Sequence, residues 1–209
     1  MEFNFNDSNI GRTVFPSGCP QCGGEILFRK FSEVFGREKE NRFVYVCEHY
    51  PQCDSYTFAH AESKGDAIKY HPQGIVADSD LRSTHSYLRE LFNPLWQQRV
   101  ITQIYHKLVL SFTDPDGNTR YGEVTDLDKA SKTYKIKTDT GDEYDVPICL
   151  TRKIDSRTRS YFWLASMLGI PYIGCSIPNL DYDMSCRAAE IIQEATKPIN
   201  NNTDDKSKN

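Results

Sequence analysis

The sequence predicts an α+β protein, and three observations predict it. Cys19 and Cys22, then Cys47 and Cys53, form two close pairs about one hairpin apart, the pattern of a four-cysteine ribbon. Leu81, His85, Leu88, Phe92 and Leu95 recur at steps of three and four, as do apolar residues after position 155, which places them on helix faces. Between these helices, residues 98–155 hold short β-prone runs separated by turn sequences. The expected order is a ribbon at 1–62, a discontinuous helical region at 63–97 and 156–198, an inserted β-rich domain at 98–155, and a disordered polar tail at 199–209.

The ribbon begins with CPQCGG (19–24). Two residues separate its cysteines, and Gly23 and Gly24 let the backbone turn with few clashes. CEHYPQC (47–53) closes it. Its five-residue spacing is wider than the usual two to four, and Tyr50-Pro51 stiffens the loop because proline locks φ. GEILFRKF and RFVYVC read as the two strands of the hairpin between the knuckles. A tetrahedral site needs two ligand pairs on tight turns, which Cys19, Cys22, Cys47 and Cys53 supply. Four thiolates close the coordination sphere, so one structural Zn2+ is expected rather than a catalytic one. His60, seven residues past Cys53, fits either a ligand or sulfur-bonding role or a plain surface position. His49, inside the knuckle loop, is expected to be exposed. Cys149, Cys175 and Cys186 have no spacing partners and are expected as small core residues.

The first helix spans 78–97, with Asp78 or Ser79 as its cap. LVLSF (108–112), RYGEVTDL (120–127), TYKIKT (133–138) and EYDVPI (143–148) follow as strands, with turns at DPDGN and DTGDE. A small barrel like those of SH3 or Tudor domains, a five-stranded half-barrel and a plain meander all satisfy this pattern. The next helix carries Tyr161, Leu164, Ala165 and Leu168 on one face and stops at Gly169. The last follows Asp183 as cap and ends at Pro198, with Met184, Ala188, Ile191, Ile192 and Ala195 facing inward.

Composition limits the function. The chain has 209 residues, 38% hydrophobic and 26% charged, with no apolar run of membrane-spanning length. MEFNFNDSNIGRTVF lacks the basic start and apolar core of a secretory signal, so a reducing cytoplasm is expected, where thiols hold metals rather than each other. The net charge is −4, unlike proteins that grip DNA mainly through phosphates. Any nucleic-acid contact must be local. Phe28-Arg29-Lys30-Phe31, Phe35-Gly36-Arg37 and Arg42-Phe43-Val44-Tyr45 interleave aromatic and basic residues. Arg29, Lys30, Phe31, Arg37, Arg42 and Tyr50 are therefore the candidate contacts to single-stranded DNA or RNA. Against this, residues 1–60 carry six basic and eight acidic side chains, and the same aromatics suit a ribbon core. No phosphate-binding glycine loop, G-x-S-x-G elbow or H-E-x-x-H pair is present. Asp126, Asp128, Asp139, Asp142 and Asp145 sit in turn-like positions, so an enzyme is not expected.

CPQCGGEILFRK followed by CEHYPQC resembles the zinc ribbons at the C-terminal end of bacterial type IA DNA topoisomerases, which share a CP-x-CGG-x-L opening and a C-x-x-YP-x-C close. Those ribbons contact single-stranded DNA. The segment between the pairs is longer here, and nothing else resembles the topoisomerase catalytic core. More of the chain resembles a phage and prophage family with a zinc-finger-containing domain of unknown function, through CDSYTFAH (53–60), LRSTHSYLRELFNPLW (81–96), SRTRSYFWLASMLGI (156–170) and CSIPNLDYDMSCRAAE (175–190). The resemblance implies Cys19, Cys22, Cys47 and Cys53 as zinc ligands and matches His60 to a recurrent histidine. Two departures stand out. Cys175-Ser176-Ile177-Pro178 replaces a Cys-His-Ile-Gly, and the β-rich residues intervene between two helical motifs that otherwise follow closely.

Two functions follow. One is a non-enzymatic zinc-ribbon protein of phage or prophage origin that binds nucleic acid in the host cytoplasm. The other is an adaptor or inhibitor of a host protein with a purely structural zinc, which predicts a hydrophobic groove between insert and helices. The acidic balance favours the second, and the ribbon's resemblance favours the first.

Overall fold

Alternating side chains build the first sheet. β1 (Ile26–Lys30), β2 (Phe43–Cys47), β3 (Tyr56–Lys64) and β4 (Ala67–Pro72) pair antiparallel in sequence order in the computed structural model, which describes residues 17–37, 42–64 and 67–200. Leu27 faces Val46, Phe28 faces Tyr45, and Val44 faces Phe58. One face of the sheet therefore presents Val44 and Val46, packed with Leu27, Tyr56 and Phe58. The opposite face presents Phe28, Phe43, Tyr45 and Tyr70. The sequence predicts a ribbon ending at residue 62, but β3 continues to Lys64 and β4 extends the sheet into the segment expected to be helical. Period-two runs with small residues on one face, such as Thr57, Ala59 and Ala61, give a weak strand signal.

α1 (Phe31–Phe35) occupies part of the hairpin connection and ends at Gly36, whose φ is 62°. The strand expected to reach Phe31 stops at Lys30, because Phe31 turns inward and packs on Val44 and Val46. α2 (Ser79–Gln97) begins at Asp78, whose carboxylate accepts the Leu81 N–H at 2.9 Å. Its predicted face is buried: Leu81, His85, Leu88, Phe92 and Leu95 are all inside.

The chain divides into two compact units. One holds the ribbon sheet, within Arg12–Arg89, and Ser176–Cys186. The other holds Glu90–Cys175 and the chain from Arg187. In the second, α3 (Ile101–Ile104) leads into a five-stranded antiparallel sheet of β5 (Val109–Thr113), β6 (Thr119–Asp128), β7 (Thr133–Thr138), β8 (Glu143–Pro147) and β9 (Arg152–Lys153). The order is β8-β7-β6-β5-β9, and a bulge between Val124 and Asp126 helps curl it into a half-barrel. Leu110, Phe112, Ile136 and Val146 fill its concave side. The half-barrel is what the structure supports among the three patterns the sequence allows.

α4 (Ser156–Leu168) is capped by Asp155, which accepts the Thr158 N–H at 2.7 Å, and ends at Gly169 in the left-handed region. α5 (Tyr182–Asn200) departs from expectation at both ends. Its cap is Asp181 rather than Asp183, through the Met184 N–H at 2.8 Å. It also continues past Pro198. Ala188 and Ile192 are fully buried on the predicted inner face. No described helix is long and apolar enough to cross a membrane.

Candidate metal centre

Each cysteine pair is set by backbone bonds. In the first knuckle, the Cys19 N–H donates to the Gly24 carbonyl at 2.7 Å and the Gly23 N–H to the Cys19 carbonyl at 2.8 Å. Gly23 sits at φ 74°, which a residue with a Cβ seldom adopts. In the second, the Tyr50 N–H donates to the Cys47 carbonyl and the Cys53 N–H to the His49 carbonyl, both at 3.0 Å. Tyr50-Pro51 is cis. The Glu48 N–H donates to the Glu25 carbonyl at 2.9 Å and the Glu25 N–H to the Glu48 carboxylate at 2.7 Å, so the two knuckles are tied beside the thiols.

These turns bring the four predicted ligands together. The Sγ atoms of Cys19, Cys22, Cys47 and Cys53 all lie within 4.8 Å of one another, with Cys22 to Cys47 at 3.4 Å and Cys19 to Cys53 at 3.5 Å. Four sulfurs at about 2.3 Å from one tetrahedral ion stand about 3.8 Å apart, so the cluster fits the ion with small shifts. Its electrostatics agree. Burial opposes ionisation of Cys19, but the N–H groups of Cys22 and Gln21 and the Ser55 hydroxyl outweigh it and bring that thiol down to about 6. Burial pushes Cys47 up to about 12, against the His49 N–H that points at it. The thiols do not all ionise together unaided, so a four-thiolate site needs a cation among them. Zn2+, when bound, supplies that charge and locks one knuckle to the other.

The surrounding residues hold the second knuckle in place. The Cys47 N–H donates to the Ser55 carbonyl at 3.0 Å, and Cys53 Sγ lies 3.4 Å from the Ser55 hydroxyl. Asp54 pairs with Arg82 of α2 at 2.9 Å, and the Arg82 guanidinium lies 4.1 Å from the Tyr56 ring centroid. The Cys53-Asp54-Ser55-Tyr56 motif thus fastens the metal loop to α2. His60, weighed as a sulfur partner, is exposed on β3 opposite His71 and is not in the cysteine group. His49 takes that place: its Nδ1 lies 3.4 Å from Cys22 Sγ. Its position between Cys47 and Cys53 was the available signal.

The candidate nucleic-acid residues separate. Arg29, Lys30, Arg37 and Arg42 are exposed. Phe31 is not: it is 7% exposed in the ribbon core, a correction that follows from α1 rotating it inward. Tyr50 is half-buried, edge-on to Phe35 at 5.6 Å. The aromatic surface lies instead on the outer sheet face. Phe28, 40% exposed, stacks on Phe43 at 4.9 Å and neighbours Tyr45 and Tyr70 at 5.1 and 5.4 Å. The Tyr45 hydroxyl donates to the Tyr70 carbonyl at 2.9 Å, and burial raises its pKa. Lys30, opposite Phe43, points to this same face.

Elsewhere, Cys175 is buried as expected, Cys186 is half-buried, and Cys149 is exposed on a 3-10 turn rather than in a core. A cleft of about 520 Å³ lies between the half-barrel and α4, with Lys107, Glu123, Lys137 and Asp139 on the sheet side and Phe162, Ala165 and Ile170 opposite. Of the acidic residues considered for metal-assisted chemistry, Asp128 accepts N–H groups of its own turn and Asp139 accepts the Tyr172 N–H. Among the described residues, the four cysteines are the group able to hold a metal ion.

No curated protein and no solved structure matches the chain. A family model described as a zinc-finger-containing domain matches residues 15–140, from just before the first knuckle to the β7–β8 turn. With the four thiols converged inside that span and suited to one structural Zn2+, the chain belongs to this zinc-finger-containing domain family.

Proposed function

We propose that this chain is a non-enzymatic zinc-ribbon protein, of phage or prophage origin, that binds single-stranded nucleic acid on the outer face of its ribbon sheet. The observation that carries this reading is the cluster of Phe28, Phe43, Tyr45 and Tyr70 on that face. Bases stack on aromatic faces regardless of sequence, each stack contributing about 1–3 kcal/mol. The inner face already has its own aromatic core of Phe31, Phe35, Tyr56 and Phe58, so the outer rings are not needed to fill the ribbon. Lys30 stands among them and Arg37 is exposed on the same hairpin connection, whereas Arg29, across from Val44, and Arg42, over the Phe58 ring, face the other side of the sheet. Lys30 gives phosphates a local partner on this face in a chain whose overall charge is negative.

Fluorescence anisotropy of the zinc-loaded protein with labelled single-stranded DNA, single-stranded RNA and duplex DNA, over a salt series, tests the reading. Micromolar or tighter binding to a single strand, weakening with salt, is expected. No binding to any of the three at low salt overturns it. The adaptor reading then gains weight. Its one specific support is the cleft beside α4, although the charged residues on its sheet side make it less apolar than a hydrophobic docking groove.

A further inference from the structure

The four thiols are not equally sheltered. Cys19 and Cys47 are buried, Cys53 is half-buried and Cys22 is exposed. A bound ion is most easily lost through the sulfur that a proton, chelator or electrophile can reach, so Cys22 is the open side of the site. His49 stands there. Its backbone is bonded on both sides within the knuckle, while its side chain is 57% exposed. The His49 backbone N–H donates to Cys47 Sγ at 3.4 Å, and its carbonyl accepts the Cys53 N–H at 3.0 Å. The ring rests against Gly24, where an added Cβ would come within 2.7 Å of Nδ1. Its Nε2 lies 3.8 Å from the Glu48 carboxylate, itself fixed by the Glu25 N–H. Nδ1 then meets Cys22 Sγ at 3.4 Å.

We propose that His49 is a positioning residue of the zinc site, donating its Nδ1–H to the Cys22 thiolate and so slowing loss of that ligand. A tetrathiolate zinc centre carries net negative charge, and an N–H aimed at a ligand sulfur spreads part of it. A thiolate with less charge is also a weaker nucleophile. The histidine comes from the second knuckle and the sulfur from the first, so the bond bridges the two halves of the site. The wide Cys47–Cys53 loop supplies the residue that makes this reach. Partners of this kind commonly change metal affinity by about 10- to 100-fold.

The test uses full-length, zinc-loaded protein: wild type, His49→Ala, His49→Asn and, as a control, His60→Ala. Zinc transfer to a chromophoric chelator is followed in time, and alkylation by N-ethylmaleimide is mapped by mass spectrometry. His49→Ala is expected to hold one zinc per chain, release it about ten-fold faster and be alkylated first at Cys22. His49→Asn, which keeps an N–H donor, should recover part of the protection, and His60→Ala should match wild type. Wild-type release and alkylation rates in His49→Ala overturn the proposal. If His49→Ala takes up no zinc, His49→Asn decides. Zinc held by the Asn variant supports a hydrogen-bonding role, because an amide is a poor zinc ligand. Failure of both variants to load makes His49 a ligand and overturns it.

Discussion

One methyl group at position 24 would occupy the space that the His49 ring uses. The added Cβ of Gly24→Ala would lie 2.7 Å from Nδ1 and 2.9 Å from Cε1, well inside contact distance. Gly24→Ala is therefore expected to weaken zinc retention, read by the same chelator competition. The loss should be smaller in a His49→Ala background, because the clash disappears with the ring, and a double-mutant cycle measures that coupling. The glycine was legible in the sequence as a turn residue. Its role in accommodating a side chain from the other knuckle was not, because that depends on a contact between residues 25 positions apart.

His85 gives a second residue-scale expectation. It is 4% exposed, and its Nε2 donates to the Leu180 carbonyl at 2.8 Å. Burial lowers its pKa below the usual histidine value, the Leu180 carbonyl partly opposes this, and Arg89 adds to the lowering. The folded chain thus binds fewer protons here than the unfolded chain, so this contribution is complete above the ordinary histidine pKa and is lost as pH falls below it. Thermal melts from pH 7.5 down to about 5.5 should show a falling midpoint. His85→Gln should be less stable at neutral pH and show a shallower decline. Equal slopes in the two proteins would remove His85 as a source of the pH dependence. The helical step identified the position as inward-facing, but the partner carbonyl lies 95 residues away.

At the scale of elements, the β5–β6 turn is held by one carboxylate. Asp114 accepts the N–H groups of Asp116 and Asn118 at 3.1 and 2.7 Å and the Arg120 Nε–H at 2.7 Å. The Arg120 guanidinium and the Asn118 donors hold its pKa below the usual carboxylate range, against its burial. Asp114→Ala should leave the Asn118 N–H and the Arg120 guanidinium short of a partner and lower the melting midpoint, with amide exchange rising first across Thr113–Thr119. A second expectation concerns the ribbon sheet. Phe28→Ala and Tyr70→Ala should each weaken single-strand binding by about 5- to 100-fold if each ring stacks a base, while Phe31→Ala should act by destabilising the ribbon core. The strands of the half-barrel were legible because turn sequences punctuate them, and all four predicted runs became β5 to β8 within a residue or two. β9 was not, since two residues carry no period. Within Phe-Arg-Lys-Phe the sequence reading names Phe31, not Phe28, as the contact. The strand-to-helix change after Lys30 turns Phe31 into the core and leaves Phe28 on the open face.

For the molecule as a whole, the metal and the two cores are distributed unequally. The cysteine cluster belongs to the unit with Val44, Val46 and Phe31, whereas Leu110, Phe112, Ile136 and Val146 form a separate core in the other unit. Zinc removal by a strong chelator should therefore melt the ribbon and spare the half-barrel. In amide-resolved NMR, signals from β1 to β3 should collapse while those from β5 to β8 persist; uniform loss would show that the metal supports the whole chain. The four-cysteine site was the most legible feature of the sequence, since its spacing and glycines state a local geometry. The division into units was less so, because α2 and α5 each contribute residues to both.

The alternation of β2 has a further consequence. Phe43–Cys47 reads FVYVC, β-branched and aromatic without charge or proline, and β3 opens with YTFA. Inside the folded sheet both strands are flanked by neighbours and pinned at Cys47 and Cys53. Segments of this composition self-associate once their edges are free. Loss of zinc would free them in every copy at once, so zinc-stripped protein is expected to scatter light and aggregate faster than the loaded form at equal concentration.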